Sequence, residues 1–287
     1  MILIQVETGR SFMTLPRINN IDNISNKRLS VQFSLTGLSF LVTQPSTKEV
    51  SFFLEKKLES NPSPEELLEC LKKAIRENEG LQENFDEIIV IYATNLYALV
   101  PTSLFDETKA SDYLKLNSKI LANDFVAYDT LENSDLTIVY IPYININNYL
   151  FERFGLFKYF HSTTLLLNYI LNVEKHAKKP KVYLNVMDNL FDIIVMKNGG
   201  LLLCNTYEYK TPEDFIYYIL FCLEQLKLNP DSIEFIISGN INQDDDLYSI
   251  LYTYIRNISF IKHEFHPAIL SEDDEMIHHD LLLKLAQ

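Results

Sequence analysis

The residues best suited to metal chemistry lie near the C-terminus, where four of the six histidines occur. Imidazole nitrogens and carboxylates bind zinc and similar ions, so His263, His266, His278, His279 and Asp280 are the first candidates for a metal site. A proline and an acidic stretch separate the two histidine pairs, and their spacing fits no standard zinc pattern. We therefore interpret these histidines as surface residues and predict no metal site.

Neither the other carboxylates nor the thiols have the spacing of a metal or redox site. The acidic runs 244–246 and 272–275 lack the alternating oxygen ligands and the central glycine of a calcium-binding loop. The cysteines Cys70, Cys204 and Cys222 are far apart and form no CxxC pair, which excludes a zinc ribbon and a disulfide framework. We interpret the acidic runs as solvated loops, and the odd number of cysteines indicates a reducing compartment.

The length and the charge exclude several classes of protein. The chain of 287 residues and 33.4 kDa is long for one compact domain and comfortable for two. Its 39 acidic and 25 basic side chains give a net charge of −14, which would repel a phosphate backbone and predicts no nucleic-acid partner. No apolar run approaches the ~18 residues of a membrane span. We predict a cytoplasmic protein without an integral membrane segment.

The chain has only seven glycines, whereas tyrosine (17) and phenylalanine (18) are abundant and tryptophan is absent. A phosphate-binding loop needs backbone amides that approach the ligand closely, and glycine is the residue that permits this approach. The scarcity of glycine therefore leaves few places for such a loop. Aromatic residues without basic charge favour packing or protein contact over stacking on nucleotide bases.

Apolar periodicity predicts strands and helices in alternation along the first half of the chain. The helix after the third strand has a Ser63–Glu66 capping box with Pro64 at its first position, and Gly80 ends it. Residues 101–135 have a mixed pattern, and we interpret them as an insert with one helix over 109–121. The predicted strands are 29–33, 38–42, 50–54, 88–92, 96–100 and 136–141, and two further helices cover 146–154 and 163–176.

After the polar break Lys178–Lys181, the same order of elements begins again. The predicted strands are 182–186, 191–196, 200–205, 233–237 and 258–263. Thr211 caps a predicted helix with Pro212 at its first position, and another helix covers 247–255. The order βββαβαβ thus occurs twice, with negligible sequence identity between the copies. Two such units form a duplicated ribonuclease H-like fold of the α/β class, the architecture of actin-like proteins. We divide the chain into an N-terminal extension (1–28), a first lobe (29–177) with the insert (101–135), and a second lobe (178–287).

The strand and turn at 29–40, with the sequence LSVQFSLTGLSF, resemble the opening of a family of uncharacterised bacterial proteins assigned an actin-like ATPase fold. A more distant resemblance connects the chain with the actin-like assembly proteins of type IV pili, which belong to inner-membrane machines. It is carried by residues 88–92, 99–101, 141–143, 152–156 and 183–205. The likeness covers about residues 29–260 and is mostly one of pattern, so it implies the fold and a bacterial origin more than a function.

This resemblance implies a nucleotide site with defined requirements. An active member has an aspartate on the first strand of each half to hold magnesium, turns rich in glycine and hydroxyl groups to hold phosphates, and a Gly-Gly loop for adenosine. In this chain Gln32 and Ser34 stand on the first strand, and Asn185 stands where the second aspartate is expected. Met187 and Asn240 stand where glycines are expected. Neutral amides supply no charge for a divalent ion, so the site lacks the carboxylates that would hold magnesium and two of the glycines expected in its turns.

Five residues remain that could form a vestigial nucleotide site: Thr36, Gly37, Asp188, Asn189 and Gly239. Because both metal-binding carboxylates are missing, we predict no catalytic residues, no bound metal and no obligatory cofactor. The preferred hypothesis is a non-catalytic protein-binding or scaffold module, a degenerate ATPase whose protein partner is unidentified. The groove between the lobes or the insert would then hold a segment of the partner. The alternative is a divergent ATPase that binds Mg·ATP in the interdomain cleft through these five residues.

Overall fold

The computed structural model describes residues 27–34, 36–47, 49–58, 62–115, 124–131, 134–261 and 281–286. The chain forms two compact units, of which the first continues to Asn168 and the second begins at Tyr169. The sequence-based boundary between 177 and 178 remains a prediction. Nearly all of the predicted N-terminal extension, together with the histidines from His263 onward, lies outside the described residues.

The first unit is built on a five-stranded sheet with the order β3-β2-β1-β4-β8. In this sheet β4 is parallel to both β1 and β8, whereas β2 is antiparallel to both β1 and β3. The strands of the unit are β1 (Arg28–Ser34), β2 (Gly37–Gln44), β3 (Glu49–Lys57), β4 (Glu87–Ala93), β5 (Tyr97–Pro101), β6 (Ala127–Thr130), β7 (Leu136–Tyr140) and β8 (Lys158–His161). Its helices are α1 (Pro64–Glu77), α2 (Ala110–Leu114), α3 (Ile144–Phe154) and α4 (Ser162–Val173), the last of which extends into the second unit.

Helix α1 shows how local sequence sets the position of an element. The Ser63 hydroxyl accepts from the Glu66 amide at 3.2 Å, and the Glu66 carboxylate accepts from the Ser63 amide at 2.8 Å. This is the predicted capping box, with Pro64 at the first helical position. The apolar residues Leu67 and Leu71 are fully buried on the inner face of the helix.

The first unit differs from the sequence-based assignment at its fifth strand. The predicted strands 96–100 and 136–141 do not join the five-stranded sheet. They pair with each other as β5 and β7, and β7 also pairs with β6, in a separate sheet with the order β5-β7-β6. That sheet and α2 share a small core around Leu114 and Val139, with Phe105 and Tyr128 packed against it. The fifth strand is β8, which is four residues long and leads directly into α4. No turn signal separates β8 from α4, so its pattern merges with that of the helix.

The second unit repeats the architecture with the sheet order β11-β10-β9-β12-β13. Strand β12 is parallel to both β9 and β13. The elements are β9 (Lys181–Val186), β10 (Leu190–Lys197), β11 (Gly200–Glu208), α5 (Pro212–Gln225), β12 (Glu234–Gly239), α6 (Asp246–Tyr254) and β13 (Asn257–Phe260), and α7 (Leu281–Leu285) follows. Without the insert from β5 to β7, the first unit has the order βββαβαβ followed by α4, and the second unit has βββαβαβ followed by α7, so the two units match. The predicted duplicated α/β fold is confirmed.

The second sheet separates apolar and polar side chains by strand alternation. Val182, Leu184 and Val186 of β9 join the core cluster that includes Phe215 of α5 and Leu251 of α6. Successive side chains of a strand point to opposite faces, so residues 183 and 185 lie on the other face of the sheet. This alternation places polar groups of β9, β10 and β12 together, close to the carboxyl ends of the parallel strands.

Candidate functional site

The five predicted site residues all lie where parallel strands end. Thr36 and Gly37 follow β1 in the first unit, whereas Asp188 and Asn189 follow β9 and Gly239 ends β12 in the second unit. Open α/β sheets bind ligands at the carboxyl ends of their parallel strands, because backbone amides and loop side chains converge there. The residues therefore lie where a ligand of this fold would be expected. The hydrogen bonds that their polar groups already make determine whether those groups are available to a ligand.

In the first unit, the polar groups of the turn after β1 form hydrogen bonds with one another. The Ser34 hydroxyl donates to the carbonyl of Gly37 at 3.2 Å and accepts from the Thr36 amide at 3.3 Å. The two hydroxyl oxygens of Ser34 and Thr36 are 3.4 Å apart. A Cβ on Gly37 would overlap the carbonyl oxygen of Lys56 in β3, so the close approach of that strand accounts for the glycine.

The turn after β9 is tight and is held from outside by Tyr209. The Met187 amide donates to the carbonyl of Leu190 at 2.8 Å, which places Asp188 and Asn189 at the centre of the turn. The Tyr209 hydroxyl donates to the Met187 carbonyl at 2.6 Å, and the Tyr209 amide donates to the Asn189 carbonyl at 3.0 Å. Asp188 is exposed at the tip of this turn.

Gly239 lies against the same turn. It has a φ of +87°, and a Cβ at this position would overlap the carbonyl oxygen of Val186. The next amide, that of Asn240, donates to this carbonyl at 2.7 Å, and the Asn240 side-chain amide donates to a carboxylate oxygen of Asp188 at 3.2 Å. The structure therefore brings Asp188 and Gly239 together, with Asn240 as the link between them.

Sequence reasoning missed a carboxylate in the second unit. Asp192 of β10 lies opposite Asn185 of β9, and the Asn185 amide donates to it at 3.1 Å. The Thr206 hydroxyl donates to the other carboxylate oxygen at 2.6 Å, while the Ser238 hydroxyl lies 3.3 Å from the Asn185 oxygen. Burial raises the pKa of Asp192 to about 6, although its hydrogen bonds act in the opposite direction. The signal was present, because residues 185 and 192 are equally distant from the turn at 188–189 and must pair in a regular hairpin.

A second buried carboxylate lies at the end of β8 and the start of α4. Asp129 of β6 accepts from the His161 amide at 2.9 Å, from the Thr164 hydroxyl at 2.7 Å and from the Tyr140 hydroxyl at 3.1 Å. Burial raises the pKa of Asp129 to about 7 and outweighs the lowering effect of these three hydrogen bonds. The inserted sheet thus places a carboxylate at the N-terminus of α4, where the helix dipole favours negative charge.

His161 beside this carboxylate is a neutral, structural histidine. Its Nδ1 atom accepts from the Thr163 amide at 3.2 Å, so the proton is on Nε2, which donates to the Thr94 carbonyl at 3.1 Å. Burial lowers the pKa of His161 to about 3, which keeps the ring uncharged near neutral pH. The hydroxyl oxygens of Thr94 and Thr163 are buried next to it without a hydrogen-bond partner.

The described residues contain no group of three or more histidine, cysteine, aspartate or glutamate side chains placed to hold a metal ion. The histidines at 263, 266, 278 and 279 and the acidic run 272–275 are not among these residues. The other acidic run precedes α6, where the Asp245 carboxylate accepts from the Asn242 amide at 2.6 Å. Within the described part of the chain, no helix is both long and apolar enough to cross a membrane.

Comparison with known proteins assigns the family. The model of a family described as "Protein of unknown function (DUF3822)" matches residues 16–258. The chain belongs to the DUF3822 family. The resemblance to an uncharacterised family with an actin-like ATPase fold is confirmed. No curated protein matches the chain.

Two solved structures place this DUF3822 protein among actin-like folds. A Bacteroides thetaiotaomicron protein with an actin-like ATPase fold and unknown function has 22% identity and a TM-score of 0.77, with 93% of this chain and 98% of that chain covered. The PilM-PilN type IV pilus biogenesis complex matches with 11% identity and a TM-score of 0.55, with 90% of this chain and 96% of that chain covered. At these identities, both likenesses show the fold alone.

The first prediction concerns the close approach at Gly239. We expect Gly239→Ala to lower the free energy of unfolding by more than about 2 kcal/mol, because it adds a steric overlap with Val186 to the cost of a positive φ. Gly155→Ala is the matched control, since Gly155 has a φ of +86° but no neighbour within 4 Å. We expect this control to cost less than Gly239→Ala, about 1–3 kcal/mol in urea unfolding, because its φ of 86° and ψ of −139° disfavour any residue other than glycine. Equal costs for the two variants would show that the approach to Val186 does not constrain Gly239.

The second prediction concerns the buried Asp129. Its pKa of about 7 in the folded protein exceeds the unfolded value of about 4, so the folded state binds more protons between these pH values. The free energy of unfolding should therefore fall as the pH rises from about 4 to about 7, by a few kcal/mol from this group. We expect Asp129→Asn to flatten this dependence in urea unfolding, and exposed Asp244→Asn to leave it unchanged. Identical pH profiles for wild type and Asp129→Asn would contradict this assignment.

Proposed function

We propose that this DUF3822 protein is a non-catalytic protein-binding or scaffold module that keeps the actin-like fold without hydrolysing ATP. One observation carries the proposal: the carboxylates and side-chain amides described at the carboxyl ends of the parallel strands are hydrogen-bonded to the protein itself, although the hydroxyls of Thr94 and Thr163 are not. In the first unit, the Asp129 carboxylate accepts a hydrogen bond from the His161 amide at the start of α4. In the turn after β1, the Ser34 hydroxyl bonds to the Gly37 carbonyl and the Thr36 amide. In the second unit, Asn185 is bonded to Asp192, and Asp188 to Asn240.

Magnesium and phosphate chemistry would need a different arrangement. A hydrated Mg²⁺ ion is held by accessible carboxylate oxygens, and phosphates are held by turn amides that point toward them. The first strand supplies the neutral Gln32, and Asp192 in the second unit is 2% exposed with both oxygens already accepting hydrogen bonds. These features support the proposal that the strand ends lack the accessible negative charge and the open backbone amides that ATP hydrolysis requires.

The role in protein binding has two independent supports. A structural neighbour with a TM-score of 0.55 is the PilM-PilN complex, in which a protein of this fold is joined to a second protein. The likeness gives an analogy for this chain and no identity of partner. The second unit also exposes four aromatic side chains on its helices α5 and α6: Tyr217, Phe221, Tyr252 and Tyr254.

The alternative function is a divergent ATPase, and Asp188 is the observation that favours it. Its side chain is exposed at the tip of the β9–β10 turn and is brought next to Gly239 through Asn240. An exposed carboxylate at the end of a parallel strand could bind magnesium if the Asn240 amide moved away. A nucleotide would then bind through Asp188, Asn189 and Gly239 of the second unit.

The third prediction separates these functions. In a calorimetric titration of the full chain with Mg·ATP, we expect no saturable heat, and we expect no phosphate release above background. Thermal unfolding with and without Mg·ATP should give the same midpoint, because a ligand that binds the native state would raise it. Asp188→Ala and the control Asp244→Ala should behave as wild type. A saturable heat together with phosphate release, both present in wild type and in Asp244→Ala and both lost in Asp188→Ala, would establish the ATPase alternative.

A further inference from the structure

The outer face of α5 presents two aromatic rings to solvent in a fixed arrangement. Tyr217 is 62% exposed and Phe221 is 43% exposed, and their rings stack with centroids 6.3 Å apart at an angle of 19°. Tyr217 also makes an edge contact with Tyr218, which in turn stacks on Tyr207 of β11 at 4.7 Å. Because the rings support one another, this surface is ordered before any partner arrives, which lowers the entropic cost of binding.

Carboxylates lie at both ends of this aromatic pair. Glu213 and Asp214 are in the first turn of α5, where the helix dipole stabilises negative charge. Glu224 is near the other end of the helix, where the dipole disfavours it, and the last turn contains no basic residue. Glu224 is exposed, and no ion pair among the described residues involves it, so a cation of a partner would not have to displace an internal one.

The spacing places these residues in one stripe. Positions 213, 217, 221 and 224 recur at helical intervals and share one face, in the order Glu, Tyr, Phe, Glu. The two glutamates are eleven residues apart, which corresponds to about 16 Å along the helix. Neither α5 nor α6 contains a lysine or an arginine, and α6 packs against α5 and adds an exposed Tyr252. The charged side chains within these two helices are therefore all acidic.

We propose that this stripe of α5 is a docking surface for a basic segment of a partner protein, in which two cationic side chains about 16 Å apart flank apolar residues. The cations would pair with Glu213 and Glu224, and the apolar part would cover Tyr217 and Phe221. The inference rests on the proposed protein-binding function and names the class of partner. Charge decides the occupant, because a second copy of a chain with a net charge of −14 or an anionic polymer would be repelled.

The test uses a synthetic amphipathic helical peptide with two lysines eleven residues apart and leucines between them on the same face. The control peptide has glutamates in place of these lysines. Peptide binding to the full chain is measured by fluorescence anisotropy, and the binding site is mapped from amide chemical shifts. We expect the lysine peptide alone to bind, with shifts along α5 and binding that weakens as salt increases.

Two variants of the stripe and one matched control decide the result. We expect Phe221→Ser to weaken binding about tenfold and Glu224→Gln about three- to fivefold, since exposed ion pairs contribute little individually. Glu65→Gln on the exposed face of α1 makes the same change in net charge and should bind as wild type. All three side chains are exposed, and an unchanged unfolding temperature verifies that each variant is folded.

Three outcomes would overturn the proposal: no binding of the lysine peptide, equal binding of the glutamate peptide, or equal weakening by Glu65→Gln and Glu224→Gln. The last would show non-specific attraction to the net negative charge. These outcomes are distinct from failure of the proposed function, which is read from the Mg·ATP titration of the same preparation. If the chain binds neither nucleotide nor the lysine peptide, the proposed docking surface on α5 is wrong, and the proposed non-catalytic function is unaffected.

Discussion

The rest of the structure depends on keeping two buried carboxylates, those of Asp129 and Asp192, hydrogen-bonded inside the protein. Each is almost fully buried, and burial raises each pKa even though several hydrogen bonds favour the charged form. Removing a carboxylate from water is costly unless its oxygens are bonded, so each one fixes its donors in place. Asp129 joins the inserted sheet to β8 and α4, and Asp192 joins β10 to β9 and β11. Both lie where the actin-like architecture would otherwise offer polar groups to a ligand.

Local signals allowed much of the fold to be predicted. The capping box at Ser63, the cap at Thr211 and the turn glycine Gly155 each act through neighbours in sequence, so pattern alone locates α1, α5 and the end of α3. Strand β8 was missed because four residues without a turn before α4 give too little alternation. Its place in the sheet depends on pairing with β4, which is distant in sequence.

The sequence predicted that the candidate residues lie at strand ends, but it did not predict their hydrogen-bond partners, and the nucleotide site itself stays a prediction. Turn patterns placed Thr36, Asp188 and Gly239 correctly at strand ends, because the order of elements determines which turns those are. The partners of Asp129 are 11 to 35 residues away and come from three elements, so no local spacing indicates them. Asp192 is the opposite case: the symmetry of its hairpin is visible in the sequence, but the carboxylate lies on β10, whereas the resemblance implies an aspartate on the first strand, β9.

A crystal structure of the full chain grown with Mg·ATP tests the central claim most directly. The account predicts that Asp129 keeps its bonds to His161 and Thr164, that Asp192 keeps its bonds to Asn185 and Thr206, and that no nucleotide is bound at either set of strand ends. A nucleotide whose phosphates accept hydrogen bonds from the turn amides, with magnesium on Asp188 or Asp192, would contradict it.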